Sequence, residues 1–154
     1  MSDALSVRTL LALGSNLGDR RAELDAAMHE LSLHGDVLAI SDIVETDAWA
    51  PGAELREDLA PYLNCLVDLR ASLLPWRLYD AVRTFEDSRE RDRLRRNSAR
   101  RIDIDLLAVA RTTMRGPKLT LPHPRLWRRG FLRSCFASLP TCESWHRELE
   151  GVAW

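Results

Sequence analysis

Ile102-Asp103-Ile104-Asp105-Leu106 is the stretch of this sequence that says most about the fold. Apolar and acidic residues alternate in it with the period of a β-strand, which predicts that the aliphatic side chains enter a core while both carboxylates share the opposite face. Asp is uncommon in strands, so two of them in one strand need an explanation. One interpretation is an ordinary amphipathic strand with a solvated face. The other is a Mg²⁺ site, because proteins hold this ion with one or two carboxylates together with substrate phosphates.

A run of arginines precedes this strand and favours the second interpretation. Eight arginines lie among the nineteen residues 83–101. Guanidinium groups beside a carboxylate pair suit a polyphosphate that carries a metal ion. Because the net charge of the chain is only −1, the run is a local patch that predicts a local partner rather than general polyanion binding. Single members such as Arg89 and Arg95 are expected to be solvated loop charges.

Length and composition predict one globular domain over residues 1–154, with 45% hydrophobic and 29% charged residues. The sequence contains neither a recognisable signal peptide nor an apolar run of membrane-spanning length. The three cysteines are odd in number and lack metal-binding spacing, which is typical of reduced thiols. We therefore expect a soluble cytoplasmic protein without a membrane partner.

Periodicity and turn residues predict an alternation of strands and helices. A first strand ends in a Gly-Ser-Asn-Leu-Gly turn at 14–18, after which Asp19 caps a helix. Tyr62 and Asn64 lie two apart in an alternating strand, so their side chains point the same way. The charged segment from about 89 to 101 lacks apolar periodicity, so we expect a solvated, mobile loop. Besides the acidic strand, the predicted strands cover residues 7–13, 37–45, 62–70 and 118–121. The predicted helices cover residues 20–33, 75 onward and 129–139, and a long loop is predicted over 46–61.

Several motifs occur in a fixed order along nearly the whole chain. They are Leu-Gly-Ser-Asn-Leu-Gly at 13–18, Tyr-Leu-Asn at 62–64, Glu86 followed by Arg91, Arg100 with the acidic strand, Leu-Thr-Leu-Pro-His at 119–123 and Arg-Gly-Phe at 129–131. In this order and spacing, the chain resembles the 6-hydroxymethyl-7,8-dihydropterin pyrophosphokinase family of the folate pathway. Each motif alone is weak or suggestive, whereas the ordered set is specific.

The resemblance implies an α+β, ferredoxin-like fold, with a mainly antiparallel sheet flanked by helices in three α/β/α layers. It implies transfer of pyrophosphate from ATP to the hydroxymethyl group of 6-hydroxymethyl-7,8-dihydropterin, with two Mg²⁺ ions. The expected partners are these two small-molecule substrates and no nucleic acid, and a monomer is expected.

The resemblance also implies roles residue by residue. Arg91 and Arg100 match the arginines that engage the phosphates and are the predicted catalytic residues. Asp103 and Asp105 match the two Mg²⁺-binding aspartates. The predicted pterin-binding residues are Thr46, Tyr62, Asn64 and Phe131. The predicted ATP-binding residues are Glu86, Leu106, Lys118, Thr120, His123 and Arg129.

Without the resemblance, several of these residues have purely structural explanations. Tyr62 and Phe131 would be core or rim residues, and Asn64 would be a residue of a polar strand face. Glu86 would be a solvated helix carboxylate. His123, between two prolines, would be a loop or packing residue.

The chain departs from the family pattern in its loops. Ala48 stands where the family has proline, while Glu90, Asn97 and Ala99 replace the glycine, tryptophan and proline that precede the catalytic arginines. These departures leave open a non-catalytic paralogue that binds nucleotide or pterin. The arginine run leaves open a small RNA-binding domain, but such sheets display aromatic residues where this chain has two aspartates.

Overall fold

A computed structural model describes residues 6–50, 54–55, 59–89 and 99–150. The fold is α+β, with a mainly antiparallel sheet and helices, as predicted. The strands are β1 Val7–Ser15, β2 Gly35–Ile40, β3 Val44–Thr46, β4 Trp49–Ala50, β5 Glu54–Leu55, β6 Tyr62–Ala71, β7 Asp103–Val109, β8 Met114–Arg115 and β9 Thr120–Leu121. The helices are α1 Arg20–Ser32, α2 Pro75–Ser88, α3 Gly130–Ser138 and α4 Cys142–Leu149. None of the helices in these described ranges is long and apolar enough to cross a membrane.

The main sheet has the strand order β2-β6-β1-β7, and β3 also pairs with β6. Its pairings are antiparallel. In the central strand β1, Gly14 lies opposite Asn64 of β6 and opposite Asp103 of β7. Residues directly opposite one another in neighbouring strands share a face of the sheet. Asn64, Gly14 and Asp103 therefore form one row near the end of the sheet where β1 stops.

Two buried clusters lie on the two faces of this sheet. Leu11 and Leu13 of β1 belong to a cluster that includes residues of α1 and α2. Leu10 and Ala12 belong to a second cluster that includes residues of α3 and α4. The period of two in a strand thus divides the apolar side chains of β1 between two cores, and the row that contains Asp103 lies on the α3 and α4 side.

The acidic strand β7 has the orientation that its alternation predicts. Ile104 and Leu106 are 0% and 2% exposed in the cluster with α1 and α2, and Ile102, just before the strand, is 1% exposed. Asp103 and Asp105 point to the other face and keep side-chain exposures of 18% and 19%. The prediction of a core face and an acidic face is confirmed.

Several segments differ from the sequence-based expectation, among them the strand expected over 118–121, which is limited to β9 and pairs with the unpredicted β8. The strand expected over 37–45 is two strands, because the hydroxyl of Ser41 between them accepts the Leu66 N–H at 2.8 Å in place of a backbone carbonyl. The expected loop 46–61 contains the paired short strands β4 and β5. Helix α4 is absent from the prediction, because its eight residues are fewer than the roughly 11 to 18 over which a helical period is read, although Cys142, Trp145 and Leu149 have helical spacing.

A buried ion pair attaches α4 to the sheet. Asp68 of β6 is 0% exposed and accepts hydrogen bonds of 2.6 Å from Arg8 Nη2 and from the Thr141 hydroxyl. The same guanidinium donates to Ser144 Oγ and lies 4.7 Å from the centre of the Trp145 ring. Charge, hydrogen bonds and an aromatic face thus converge where α4 begins.

We expect Asp68→Ala to lower the free energy of unfolding by about 3 kcal/mol, because it leaves the part-buried Arg8 guanidinium without its carboxylate. The matched control is Asp36→Ala, which removes a surface carboxylate that is 77% exposed and 3.8 Å from Arg70. The control should change the free energy by less than about 1 kcal/mol. Urea denaturation measures both values, and equal losses would contradict the role of the buried pair.

Candidate active site

Tyr62 and Asn64 lie together on one face of β6, beside Gly14 of β1. A Cβ atom added at Gly14 would lie 3.0 Å from Asn64 Oδ1 and 3.5 Å from Tyr62 Cδ1. Asn64 Nδ2 donates to Thr46 Oγ1 at 2.8 Å, which fixes which way the amide points. Three of the four predicted pterin-binding residues are therefore neighbours, namely Thr46, Tyr62 and Asn64. Gly14 leaves space for Tyr62 and Asn64 because it has no side chain.

Phe131, the fourth predicted pterin-binding residue, lies in the first turn of α3. Its side chain packs against the buried cluster that α3 and α4 share with the sheet. Asn64 faces the same side, because it lies two residues before Leu66 in β6 and Leu66 belongs to that cluster. The structure thus puts Phe131 on the face of the sheet that carries Tyr62 and Asn64.

Asn16, in the turn after β1, joins two connections to this end of the sheet. It is 1% exposed. Its backbone N–H donates to the Arg100 carbonyl at 3.0 Å, and its Oδ1 accepts the Arg100 N–H at 2.7 Å. Its Nδ2 donates to the Ala60 carbonyl at 3.1 Å. One buried amide therefore holds the residues that lead into β7 and into β6.

The two aspartates of β7 are paired with arginines from separate parts of the chain. Arg100 Nη1 lies 2.7 Å from Asp103 Oδ1. Arg129 Nη1 lies 3.4 Å from Asp105 Oδ2, and Arg83 Nη2 lies 3.6 Å from Asp105 Oδ1. Burial and the negative charge of Asp103 raise the pKa of Asp105, while Arg129 and Arg83 oppose that shift. The end of β7 therefore concentrates two carboxylates and three guanidinium groups.

Glu86 of α2 supports this strand from the opposite side. It is 0% exposed, and its Oε1 accepts the backbone N–H of Ile104, the residue between the two aspartates, at 2.7 Å. Arg83 Nη1 donates to Glu86 Oε2 at 2.6 Å, and Arg83 Nη2 donates to the Ile104 carbonyl at 2.9 Å. The interpretation of Glu86 as a solvated helix carboxylate is therefore wrong. Its predicted contact with ATP stays a prediction.

Four of the predicted ATP-binding residues line one cavity of about 250 Å³. These four are Leu106, Lys118, Thr120 and His123. Arg83 and Asp105 form part of the same wall, and Arg129 contacts Asp105. Sequence reasoning did not assign a role to Arg83. The signal that could have found it is its position three residues before Glu86, which puts both side chains on one face of α2.

His123 is fixed in the cavity wall by two hydrogen bonds. Its backbone N–H donates to the Leu107 carbonyl at 2.7 Å, and its Nδ1 accepts the Arg125 N–H at 3.1 Å. Burial lowers the pKa of His123, although the nearby Asp105 carboxylate acts in the opposite direction. A neutral ring with its proton on Nε2 fits these contacts, and this proton is then able to donate to a ligand.

Arg89 corrects one expectation about the arginine run. It is not a solvated loop charge, because its guanidinium donates to both carboxylate oxygens of Glu23 on α1, at 2.8 and 2.9 Å. The mobile loop is expected over about 89–101, and its residues 90–98 lie outside the described residues. These residues include Arg95 and the predicted catalytic Arg91.

Comparison with known proteins identifies the family of this chain. The model of the 7,8-dihydro-6-hydroxymethylpterin-pyrophosphokinase (HPPK) family matches residues 10–141. The chain belongs to the HPPK family. Proteins named 2-amino-4-hydroxy-6-hydroxymethyldihydropteridine pyrophosphokinase are 38% identical over 130 residues in Porphyromonas gingivalis and 34% identical over 140 residues in Bacillus subtilis. The first alignment covers 80% of this chain and 84% of the relative, and the second covers 90% and 80%.

A third relative, named folate synthesis bifunctional protein, comes from Chlamydia trachomatis and is 36% identical over 145 residues. The alignment covers 92% of this chain and 32% of that longer protein. The HPPK match includes every predicted site residue, since all of them lie between Thr46 and Phe131. The roles of the individual residues stay predictions.

We expect the imidazole of His123 to titrate below the 6.5 of an unperturbed histidine, because burial disfavours its charged form. The folded protein then binds this proton less tightly than the unfolded chain does. The stability that depends on His123 is therefore complete above about pH 6.5 and is lost as the pH falls further. NMR titration of the ring without nucleotide or metal measures the pKa, and a midpoint above 6.5 would contradict the expectation.

Proposed function

We propose that this chain transfers the pyrophosphoryl group of ATP to the hydroxymethyl group of 6-hydroxymethyl-7,8-dihydropterin, giving AMP and the pterin diphosphate in folate biosynthesis. The observation that carries the proposal is the cluster of two carboxylates and three guanidinium groups beside a cavity, in a chain that belongs to the HPPK family. Guanidinium groups bind phosphate oxygens in paired hydrogen bonds, and carboxylates hold the metal that accompanies ATP.

The proposed ATP site is the cavity beside β7. Leu106 supplies an apolar part of its wall, and Lys118 with Thr120 supplies a cation and a hydroxyl. His123 offers the Nε2 proton described above. We place Glu86 in this set as the residue that holds β7 in position, since its carboxylate binds the backbone between the two aspartates.

The donor set at Asp103 and Asp105 fits Mg²⁺. Both carboxylates keep part of their surface exposed on one face, at 18% and 19%. Within the part of the chain that the structure describes, no group of three or more His, Cys, Asp or Glu side chains could enclose a metal. The remaining ligands would therefore be water and phosphate oxygens, as Mg²⁺ prefers. We propose that two Mg²⁺ ions bind here. When bound, they would neutralise part of the negative charge of the phosphates.

The arginines carry the chain's own part of the transfer. In the reaction, the pterin hydroxyl oxygen forms a bond to the β-phosphorus, the bond from that phosphorus to the α,β-bridging oxygen breaks, and the hydroxyl proton passes to solvent. AMP leaves with the electron pair of the broken bond. We assign to Arg100 and Arg129 hydrogen bonds to the phosphate oxygens on which charge develops, and we assign the same role to Arg91 from its match to the family motif alone.

The proposed pterin site is formed by Tyr62, Asn64, Phe131 and Thr46. Burial raises the pKa of Tyr62, although Arg100 acts in the opposite direction, so the phenol is neutral near pH 7 and offers an aromatic face. Asn64 uses Nδ2 for Thr46, which leaves Oδ1 to accept from an N–H on the edge of the pterin.

We also propose the finer description of the fold and its setting. The strand order β7-β1-β6-β2, with α1 and α2 as the connections between sequential strands, supports a ferredoxin-like topology. Buried clusters on both faces support three α/β/α layers. A single domain over 1–154 that acts as a cytoplasmic monomer, without nucleic-acid or membrane partners, completes the proposal.

Release of AMP from ATP, measured with and without 6-hydroxymethyl-7,8-dihydropterin, tests the function. AMP should form when Mg²⁺ and the pterin are both present and should not form without the pterin. If the chain binds both ligands but releases no AMP, it is the non-catalytic paralogue that the loop departures leave open.

We expect Asp103→Asn and Asp105→Asn each to lower kcat roughly a thousandfold, because one charged ligand is lost from the metal and phosphate cluster. Both variants should stay folded, since each carboxylate is part exposed. The matched control is Asp80→Asn on the exposed face of α2, which should leave kcat unchanged. Near-normal kcat for both site variants at saturating Mg²⁺ would rule out the metal assignment.

Tyr62→Ala and Phe131→Ala should each weaken pterin binding by roughly 1 to 3 kcal/mol, the range for loss of an aromatic stacking partner, and should affect ATP much less. Tyr79→Ala is the matched control, because this ring lines the ATP cavity and its loss should weaken ATP more than pterin. Calorimetric titration with each ligand gives the affinities. Equal losses for both ligands in the first two variants would mean that these rings are structural.

A further inference from the structure

Glu23 in the first turn of α1 has a buried carboxylate that the predicted site does not include. Its side chain is 4% exposed and binds two arginines. Arg89 donates to Oε2 from Nε at 2.9 Å and to Oε1 from Nη2 at 2.8 Å. Arg101 Nη1 lies 3.5 Å from the same Oε1. A buried carboxylate is costly unless it is paired in this way, so its two cations are part of one arrangement.

The two arginines stand at the two ends of the connection from α2 to β7. Arg89 directly follows α2, whose last turn contains Glu86. Arg101 lies two residues before β7 and directly after Arg100. A single carboxylate on α1 therefore holds both the end of α2 and the entrance to the acidic strand.

The guanidinium of Arg101 is closely seated against the turn that precedes α1. Gly18 has a φ of +71°, and a Cβ added there would lie 2.8 Å from Arg101 Nη1. The glycine thus provides both the left-handed backbone of the turn and the space for this guanidinium. The side chain of Arg101 is held between Gly18 and Glu23.

These contacts determine where the side chain of Arg100 points. Asn16 holds the Arg100 main chain through two hydrogen bonds, of 2.7 and 3.0 Å. Glu23 of α1 holds the side chain of Arg101, the residue that follows Arg100. With the main chain and the following side chain both held, the Arg100 guanidinium is directed to Asp103, at 2.7 Å.

Helix capping does not account for Glu23. Asp19 already caps α1, because its Oδ1 accepts the Ala22 N–H at 3.0 Å. A carboxylate in the first turn also favours the helix dipole, but an exposed one would do so without burial and without two arginines. The position of both arginines next to the site is the feature that remains to be explained.

We propose that Glu23 is a positioning residue for pyrophosphoryl transfer. From α1, its carboxylate holds the side chains of Arg101 and Arg89. Arg100 then meets the phosphate oxygens in the orientation that the reaction needs. Glu23 itself does not touch either substrate. This inference rests on the proposed function and on the role proposed there for Arg100.

The test compares Glu23→Gln, Arg101→Gln and the double variant with wild type, using AMP release dependent on pterin. Each single variant should lower kcat by about tenfold to a hundredfold, the scale on which small misplacements of a catalytic group act. The KM values for ATP and pterin should stay within about twofold, because the contact orients Arg100 without binding substrate. The double variant should be no slower than the slower single variant, because both changes remove the same contact between Glu23 and Arg101.

Two further variants separate positioning from stability. Arg101→Lys keeps a cation for Glu23 and should recover part of the kcat lost in Arg101→Gln. Asp25→Asn, on the same helix, removes an exposed carboxylate that lies 3.4 Å from Arg21 and should leave kcat and both KM values unchanged. If Glu23→Gln does not fold, Arg101→Gln decides the question, because that side chain is 37% exposed.

Wild-type kcat in Arg101→Gln, or losses in KM alone, would overturn the positioning role while leaving the proposed function in place. Multiplying rather than shared losses in the double variant would also overturn it. If wild type and Asp25→Asn both release no AMP in the presence of pterin, the proposed function fails, and the inference fails with it.

Discussion

The hydrogen bonds of one buried amide hold this site together. Asn16 lies at the end of the central strand and binds the main chain of Arg100 on one side and of Ala60 on the other. The first contact sets the start of the acidic strand, and the second sets the start of the strand that carries Tyr62. A buried amide that lost one of these partners would keep the full cost of desolvation. The separation between the proposed phosphate and pterin sites therefore depends on this residue.

Charge balance is the second constraint on the site. Asp103 and Asp105 lie on one face and would repel each other, but Arg100, Arg129 and Arg83 stand against them. Each guanidinium is equally suited to a phosphate oxygen, and each carboxylate to a divalent cation. A metal and a polyphosphate that enter together can take over both halves of these ion pairs. The arrangement thus favours a polyphosphate with its bound metal ion over the polyphosphate alone or the metal ion alone.

Sequence periodicity predicted the parts of the site that lie on strands. The two faces of β7 and the common direction of Tyr62 and Asn64 follow from a period of two, which depends on no other part of the chain. The contact of Glu23 with Arg89 joins residues 66 apart in sequence, so it depends on how α1 and α2 pack and leaves no local pattern. The spacing of Arg83 and Glu86 indicates that both lie on one face of α2, but it does not show that this face meets Asp105 of β7.

The mass of the pterin product, after incubation of the chain with ATP, Mg²⁺ and 6-hydroxymethyl-7,8-dihydropterin, tests the central claim most directly. That claim is that the site moves a pyrophosphoryl group as one unit. The account predicts a pterin that is heavier by two phosphoryl groups, formed in equal amount with AMP. A pterin that carries one phosphoryl group, formed together with ADP, would contradict it.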